Sequence, residues 1–318
     1  MNWSALASST GFSPPDAGNF AVSFHSLTPN PKATMSDASS GRSFRAALVQ
    51  LCSGRTVDPN VAAAEALIRE AAAGGAQYVQ TPEVTTLMEL ESKKLFAATE
   101  GEADNRALQR FRELAAELKI WLHIGSMPVK LSPEKIANRA FVLSPTGDIV
   151  ARYDKIHMFD VDLPGGESYR ESKNYQPGER AVIAALPWGG LGLSICYDLR
   201  FPHLYRALAK SGAVFLAVPA AFTKLTGEAH WHTLLRARAI ECQCFVFAAA
   251  QGGRHEHGRD TYGHSLIISP WGQILAEGGV HPGVIFADID LQAIDDARGR
   301  VPSLGHDRPF TVEGRSGP

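Results

Sequence analysis

Cysteine is scarce in this chain: four thiols, Cys52, Cys196, Cys242 and Cys244, in 318 residues. None sits in a CxxC pair or at zinc-ligand spacing, and Cys242-Gln-Cys244 is too tight for an ordinary disulfide. Neither a disulfide scaffold nor a cysteine-built metal site is expected. Reduced thiols suit a reducing compartment, so a cytoplasmic setting is the expectation. Charge of one sign is missing as well. Lys and Arg total 31 against 33 Asp and Glu, a net of −2, which removes the electrostatic case for nucleic acid or an anionic membrane surface. No apolar run approaches the ~20 residues of a spanning helix. What remains is an ordinary globular composition, 45% hydrophobic and 20% charged. Its length allows one large or two medium domains with a sizeable core.

Residues 1–42 are rich in Ser, Pro, Ala and Asn without a sustained period, and read as a disordered extension. They lack the apolar stretch of a signal peptide. One basic residue before Arg42, Lys32, is too few for a transit peptide. Met35 is an alternative start. Order begins at residues 43–51, a strand. Asp58-Pro-Asn opens a helix over 61–73, and Gly74-Gly75 closes it. A second strand over 76–81 completes a βαβ unit. A helix over 103–118 and a strand over 121–125 follow. Residues 141–150 and 266–275 then look alike, each placing Ser-Pro-x-Gly between alternating strands, with Pro setting φ early and Gly taking the left-handed position. That recurrence implies two sheets from related halves, stacked in one domain. Further elements are expected over 213–219 (strand), 229–243 (helix) and 245–251 (strand). The charged, Gly/Pro-rich stretch from Arg298 is expected to wrap over a neighbour or fray.

The chain is organised around Leu191–Gly212. Leu191-Gly-Leu-Ser-Ile195 reads as a buried strand, and from Leu204 the apolar spacing is helical, so Cys196 lies where strand turns into helix. Such a turn exposes a nucleophile beside free backbone N–H groups. Taken alone, Cys196 reads equally well as an inert core cysteine. Three other residues sit in comparable places. Glu83 follows Pro82, beyond the end of a strand, and alone reads as a solvated loop carboxylate. Lys155 interrupts an apolar and aromatic neighbourhood, as a snorkelling cation or a positioned one. Glu171, in Gly-Glu-Ser-Tyr-Arg-Glu-Ser, is ambiguous by itself.

As a set, Thr81-Pro-Glu-Val, Tyr153-Asp-Lys-Ile-His-Met-Phe-Asp and Ser194-Ile-Cys-Tyr-Asp-Leu-Arg-Phe-Pro resemble the three signature segments of the nitrilase, or carbon–nitrogen hydrolase, superfamily. The resemblance spans roughly residues 43–312, leaving 313–318 as a tail. It implies an α/β fold, a four-layer α-β-β-α sandwich in a single domain. It implies a Glu83–Lys155–Cys196 triad acting through a thioester, with Glu171 as a second glutamate beside the lysine and the backbone N–H of Tyr197 receiving the oxyanion. No metal or organic cofactor is needed by that chemistry. Pairing through helices, as a homodimer or larger homo-oligomer, is implied too. Thr226-Gly-Glu-Ala-His-Trp, Ala248-Ala-Ala-Gln-Gly-Gly-Arg-His and Tyr262-Gly-His-Ser are similar to the branch of Nit-type amidases that hydrolyse deaminated glutathione to 2-oxoglutarate and cysteinylglycine. In that branch Arg200 would hold the 2-oxo acid carboxylate, with Phe222 and Thr226 lining the same pocket. His203 departs from the pattern, standing where an acid is common. Trp231, Arg236 and Arg238 are expected to pack helices, and His230 and His264 to be hydrogen-bonded core residues. Alternatives stay open: an omega-amidase acting on 2-oxoglutaramate, an amidase for another small aliphatic amide, a true nitrilase, or a non-catalytic Nit-type interaction protein.

Overall fold

Strand β1 (Ser43–Gln50) turns Phe44, Ala46 and Leu48 to one core and Ala47 and Val49 to another, and that alternation organises the molecule. The structure is a computed structural model and describes residues 42–164 and 166–314. The expected N-terminal disorder, except at Arg42, and residues 315–318 of the tail lie outside the described residues. Helix α1 (Val57–Ala73) leads to β2 (Tyr78–Gln80), parallel to β1. Helices α2 (Ser92–Ala98) and α3 (Arg106–Leu118) lead to β3 (Trp121–Lys130), parallel to β2. Strands β4 (Ile136–Leu143) and β5 (Ile149–Asp154) continue antiparallel. A small hairpin, β6 (Asp160–Asp162) with β7 (Ser168–Arg170), separates the halves.

The second half repeats the plan. Strands β8 (Ile183–Leu186) and β9 (Gly189–Leu193) pair antiparallel, and α4 (Pro202–Lys210) leads to β10 (Ala213–Ala217), parallel to β9. Helix α5 (Lys224–Cys242) leads to β11 (Phe245–Ala248), parallel to β10. A side hairpin, β12 (Gly252–Arg254) with β13 (Asp260–Tyr262), precedes the antiparallel β14 (Leu266–Ile268) and β15 (Ile274–Glu277). Strand β16 (Gly283–Asp290) returns antiparallel to β1, and α6 (Gln292–Arg300) follows. The sheet orders are β16-β1-β2-β3-β4-β5 and β15-β14-β11-β10-β9-β8. Each holds three parallel strands, an antiparallel edge and a closing hairpin. In those hairpins Gly147 and Gly272 take the left-handed conformation and donate to Ser144 and Ser269, both at 2.9 Å, as the duplicated Ser-Pro-x-Gly pattern predicts.

One core lies between α1, α3 and the outer face of the first sheet, with Ile68, Phe111 and Leu114 against Val49, Leu122 and Phe141. The larger core joins the two sheets and continues to α4 and α5 through Leu204, Leu208, Trp231 and Leu235. The result is the four-layer α-β-β-α sandwich. Burying each such side chain stabilises by about 1.5–3 kcal/mol.

Several boundaries differ from the sequence reading. Helix α1 begins at Val57 rather than Val61 and takes in Pro59, whose missing N–H costs nothing in a first turn. Helix α5 begins at Lys224 rather than Ala229. Gly227 looks like a breaker, yet a Cβ there would lie 2.3 Å from Tyr262 Cβ, so it marks a close approach instead. Helix α2 was not expected, since seven residues with Leu95 alone buried carry little periodicity. Helix α6 runs to Arg300, into the stretch expected to wrap or fray. Beyond it the chain lies on its own α4, where Arg206 donates to Ser303 O and, with Lys210, pairs with Asp307.

Candidate active site

Glu83 follows β2 across Thr81-Pro82, where proline ends the strand. The turn nests against a bulge in β3. Gly125 N donates to Thr81 Oγ1, and a Cβ on Gly125 would lie 2.1 Å from Thr81 O and 2.6 Å from Pro82 O. Val84, in the left-handed conformation, and Thr85 are both held by Ser126. Glu83 is thus pointed inward and buried. Its Oε2 accepts from Ala221 N at 2.9 Å, and its Oε1 from Lys155 Nζ at 2.9 Å and Asn138 Nδ2 at 3.0 Å.

Lys155 follows β5 directly and is 2% exposed, so the snorkelling alternative does not describe it. Its ammonium also meets Glu171 at 2.8 and 3.0 Å, from the 3-10 turn Glu171–Lys173. Asn138 donates to both glutamates, reaching Glu171 at 3.1 Å, and Phe159 N holds the other Glu171 oxygen at 2.7 Å. Burial disfavours the lysine's charge, but Glu171, Glu83 and the Cys196 sulfur together hold its pKa well above the usual value.

Cys196 opens a 3-10 turn, Cys196–Arg200, between β9 and α4, with φ 50° in the left-handed region. Fully buried Asp198 ties this turn down. It accepts from Ile195 N at 2.8 Å, Tyr153 OH at 2.7 Å and His157 N at 3.0 Å, and lies 2.7 Å from His157 Nδ1. Cys196 N is taken by Pro219 O at 2.9 Å. Among the described residues no acceptor faces Tyr197 N, as at any helix start. Burial, then the charge of Glu83, pushes the thiol well above its usual pKa. Burial also disfavours the Glu83 charge, but Lys155, the thiol and Arg259 more than offset it and hold the carboxyl below its usual value. At rest the sulfur is therefore protonated, with charge on Glu83 and Lys155.

These groups open on a cavity of about 260 Å³ that is also lined by Tyr197, Arg200, Phe222, Thr226, Tyr175 and Arg259. All eight candidate residues from the sequence meet there. Arg200 forms no salt bridge to Asp198. Its Nη2 lies 3.3 Å from His230 Nδ1, and its guanidinium 5.5 Å from the Phe222 ring. His230 is exposed, which corrects its reading as a core residue. Trp231 is buried with Nε1 donating to His264 O, and Arg236 and Arg238 bond Gly272 O and Leu199 O, as packing residues do. Asn138, Asp198 and Arg259 were not singled out from the sequence as parts of the site. Among the described residues, one group of side chains could hold a metal, His232, His264 and Glu277. It lies outside this cavity, with Glu277 accepting from both imidazoles.

The carbon-nitrogen hydrolase family model matches residues 45–299. The chain belongs to the carbon–nitrogen hydrolase family. It is 43% identical over 265 residues to the deaminated glutathione amidase of Yersinia enterocolitica, covering 82% of this chain and 92% of the relative. Among solved structures, the C. elegans NitFhit protein superposes with a TM-score of 0.78 at 37% identity over 84% of this chain. This hydrolase spans 65% of the NitFhit chain's length. A variant amidase from Nesterenkonia sp. superposes with a TM-score of 0.69 at 28% identity, over 81% of this chain and 95% of that one. It carries the acetamide moiety of fluoroacetamide added covalently at its active-site cysteine. Family and relatives together make this chain an amide-hydrolysing enzyme.

Proposed function

We propose that Cys196 is the nucleophile, Glu83 the proton carrier and Lys155 the oxyanion receiver of an amidase whose substrate is deaminated glutathione. The observation that carries the mechanism is the buried Glu83–Lys155–Glu171 cluster beside a protonated thiol. Sγ attacks the amide carbonyl as its proton passes to Glu83. The Sγ–C bond forms, and the oxygen takes charge against Tyr197 N–H and Lys155 Nζ. An ammonium has three protons, and two suffice for Glu83 and the forked Glu171 contact. Losing one such donor typically costs about 2.7–4 kcal/mol of barrier. As the C–N bond breaks, Glu83 delivers its proton to the departing amine. Water then attacks the thioester, giving one proton to Glu83, and the acid leaves as the thiol is restored. Glu171 keeps the lysine charged and in place.

Substrate choice rests on Arg200. A guanidinium on the cavity wall, paired with a histidine and an aromatic face rather than a carboxylate, suits the carboxylate of a 2-oxo acid. Phe222 and Thr226 wall the same end. The relatives named deaminated glutathione amidase support that choice over the omega-amidase alternative. The deciding measurement is kcat/KM on deaminated glutathione, 2-oxoglutaramate and simple aliphatic amides, with trapping of an acyl adduct on Cys196 by mass spectrometry. Preference for deaminated glutathione and an adduct are expected. An inert thiol would leave only the interaction-protein reading.

Four free thiols fit a cytoplasmic enzyme. Pairing through the helices is proposed at the outer face of α5, where Ile240 is 51% exposed, together with the adjoining β14–β15 turn, where Trp271 is 58% exposed. Light scattering should give a dimer, and Ile240→Asp a monomer.

A further inference from the structure

The cavity holds two guanidiniums that no salt bridge ties to a carboxylate among the described residues. Besides Arg200, the guanidinium of Arg259 enters it from the chain just before β13. Arg170, on the rim, is spoken for by Asp162. Arg259 is not: Nη2 donates to the carbonyl of Ala221, the guanidinium lies 4.9 Å from the Tyr169 ring centroid, and Nε is buried with no partner. No carboxylate of the described residues forms a salt bridge with it, and its charge acts on Glu83 only through space, which leaves the guanidinium on the cavity wall able to take an anionic group. Its position along the reaction follows from Ala221, whose N–H holds Glu83 and whose C=O holds Arg259. Glu83 protonates the departing amine, so the leaving half of the substrate lies on that side. Arg200, four residues beyond Cys196, is left to the acyl half.

We propose that Arg259 forms a second carboxylate subsite, which takes the C-terminal carboxylate of the leaving peptide. This rests on the reading of the substrate as deaminated glutathione, a dianion with one carboxylate on each side of the scissile amide. The chemistry isolates the two sides. Deaminated glutathione and 2-oxoglutaramate form the same acyl-enzyme, with the same Sγ–C bond made and a C–N bond broken. Only the amine differs, cysteinylglycine in one and ammonia in the other. A subsite for the leaving carboxylate therefore acts on acylation by the first and is invisible to the second.

The test compares deaminated glutathione, its C-terminal carboxamide and 2-oxoglutaramate on the full chain, as wild type, Arg259→Gln and Arg259→Lys. The wild type is expected to prefer the acid over the carboxamide by at least about tenfold in kcat/KM. Arg259→Gln should erase that preference, with deaminated glutathione losing at least about tenfold more in kcat/KM than 2-oxoglutaramate does, and Arg259→Lys should keep part of it. A wild type that treats acid and carboxamide alike overturns the subsite without any variant. So does an Arg259→Gln loss that is equal on all three substrates with a shifted acid limb, since that assigns Arg259 to support of Glu83. Wild-type protein inactive on both 2-oxo acid amides would overturn the functional reading itself, and the subsite with it.

Discussion

One proton decides the resting state of the site: it sits on the Cys196 sulfur, while Glu83 stays ionised. Because the Glu83 pKa is held below the ordinary 4.5, its stabilisation is complete above that value and is lost as pH falls through the folded pKa. Lys155 runs the other way. Its contribution is complete below the ordinary 10.5 and is lost only as pH rises through the raised value. The acid limb of kcat/KM should therefore lie below about pH 4.5. A limb at about pH 6–7 would assign the base to an imidazole. Cys196→Ala should abolish turnover with the melting temperature kept. At Arg200, replacement by Lys keeps charge but loses the guanidinium fork, so deaminated glutathione should lose at least about tenfold in kcat/KM, ~1.4 kcal/mol, and Ala more. Neutral amides should change little. Equal losses on both would make Arg200 a support of the Cys196 turn. Glu83, Lys155 and Cys196 were legible because each stands at a strand end in a recognisable segment. Asn138 and Arg259 were not, since an amide in a strand and a guanidinium in a loop acquire meaning only across 55 and 38 residues of chain, at Glu83 and Ala221.

At the scale of elements, two short turns aim the chemistry. Asp198 gathers four donors from three segments to hold the nucleophile's turn, and removing it would strand buried N–H and O–H groups at about 1–3 kcal/mol each. The Glu83 turn depends on the absence of a side chain at Gly125. An alanine there would force Thr81 and Pro82 backbone aside, and displacement of the base by a fraction of an ångström is enough to matter. Gly125→Ala should lower kcat by at least about tenfold with far-UV circular dichroism unchanged. Full activity in that variant would mean that β3 yields and the turn does not need it. Strand periodicity and the paired Ser-Pro-x-Gly turns made both sheets readable in advance. The close approaches at Gly125 and Gly227 were not readable, because a glycine does not announce which neighbour it admits.

For the molecule as a whole, the seam between the sheets holds an aromatic cluster, with Phe44 stacked 3.9 Å from Trp188 and set edge-on to Phe215 and Phe247. Buried polar side chains interrupt it. Tyr78 OH bonds Gln80 and His123, and Gln80 reaches across to Phe247 O at 3.0 Å. Burial pushes His123 down to about 3, so the folded chain refuses a proton that the unfolded chain accepts near 6.5. Stability should fall as pH drops from 6.5 toward 3, by up to about 1.4 kcal/mol per pH unit. His255 and His257, also lowered by burial, add in the same direction. His123→Gln should flatten the melting temperature against pH in that range. An unaltered slope would place the acid sensitivity elsewhere.

The burial that keeps sulfur protonated at Cys196 also works at the other three cysteines, with Cys242 raised to about 12, Cys244 to about 11 and Cys52 raised as well. Peroxide attacks thiolate, not thiol. On the proposed mechanism, the Cys196 thiol should therefore oxidise slowly between turnovers, ionising only when a carbonyl is present to receive it.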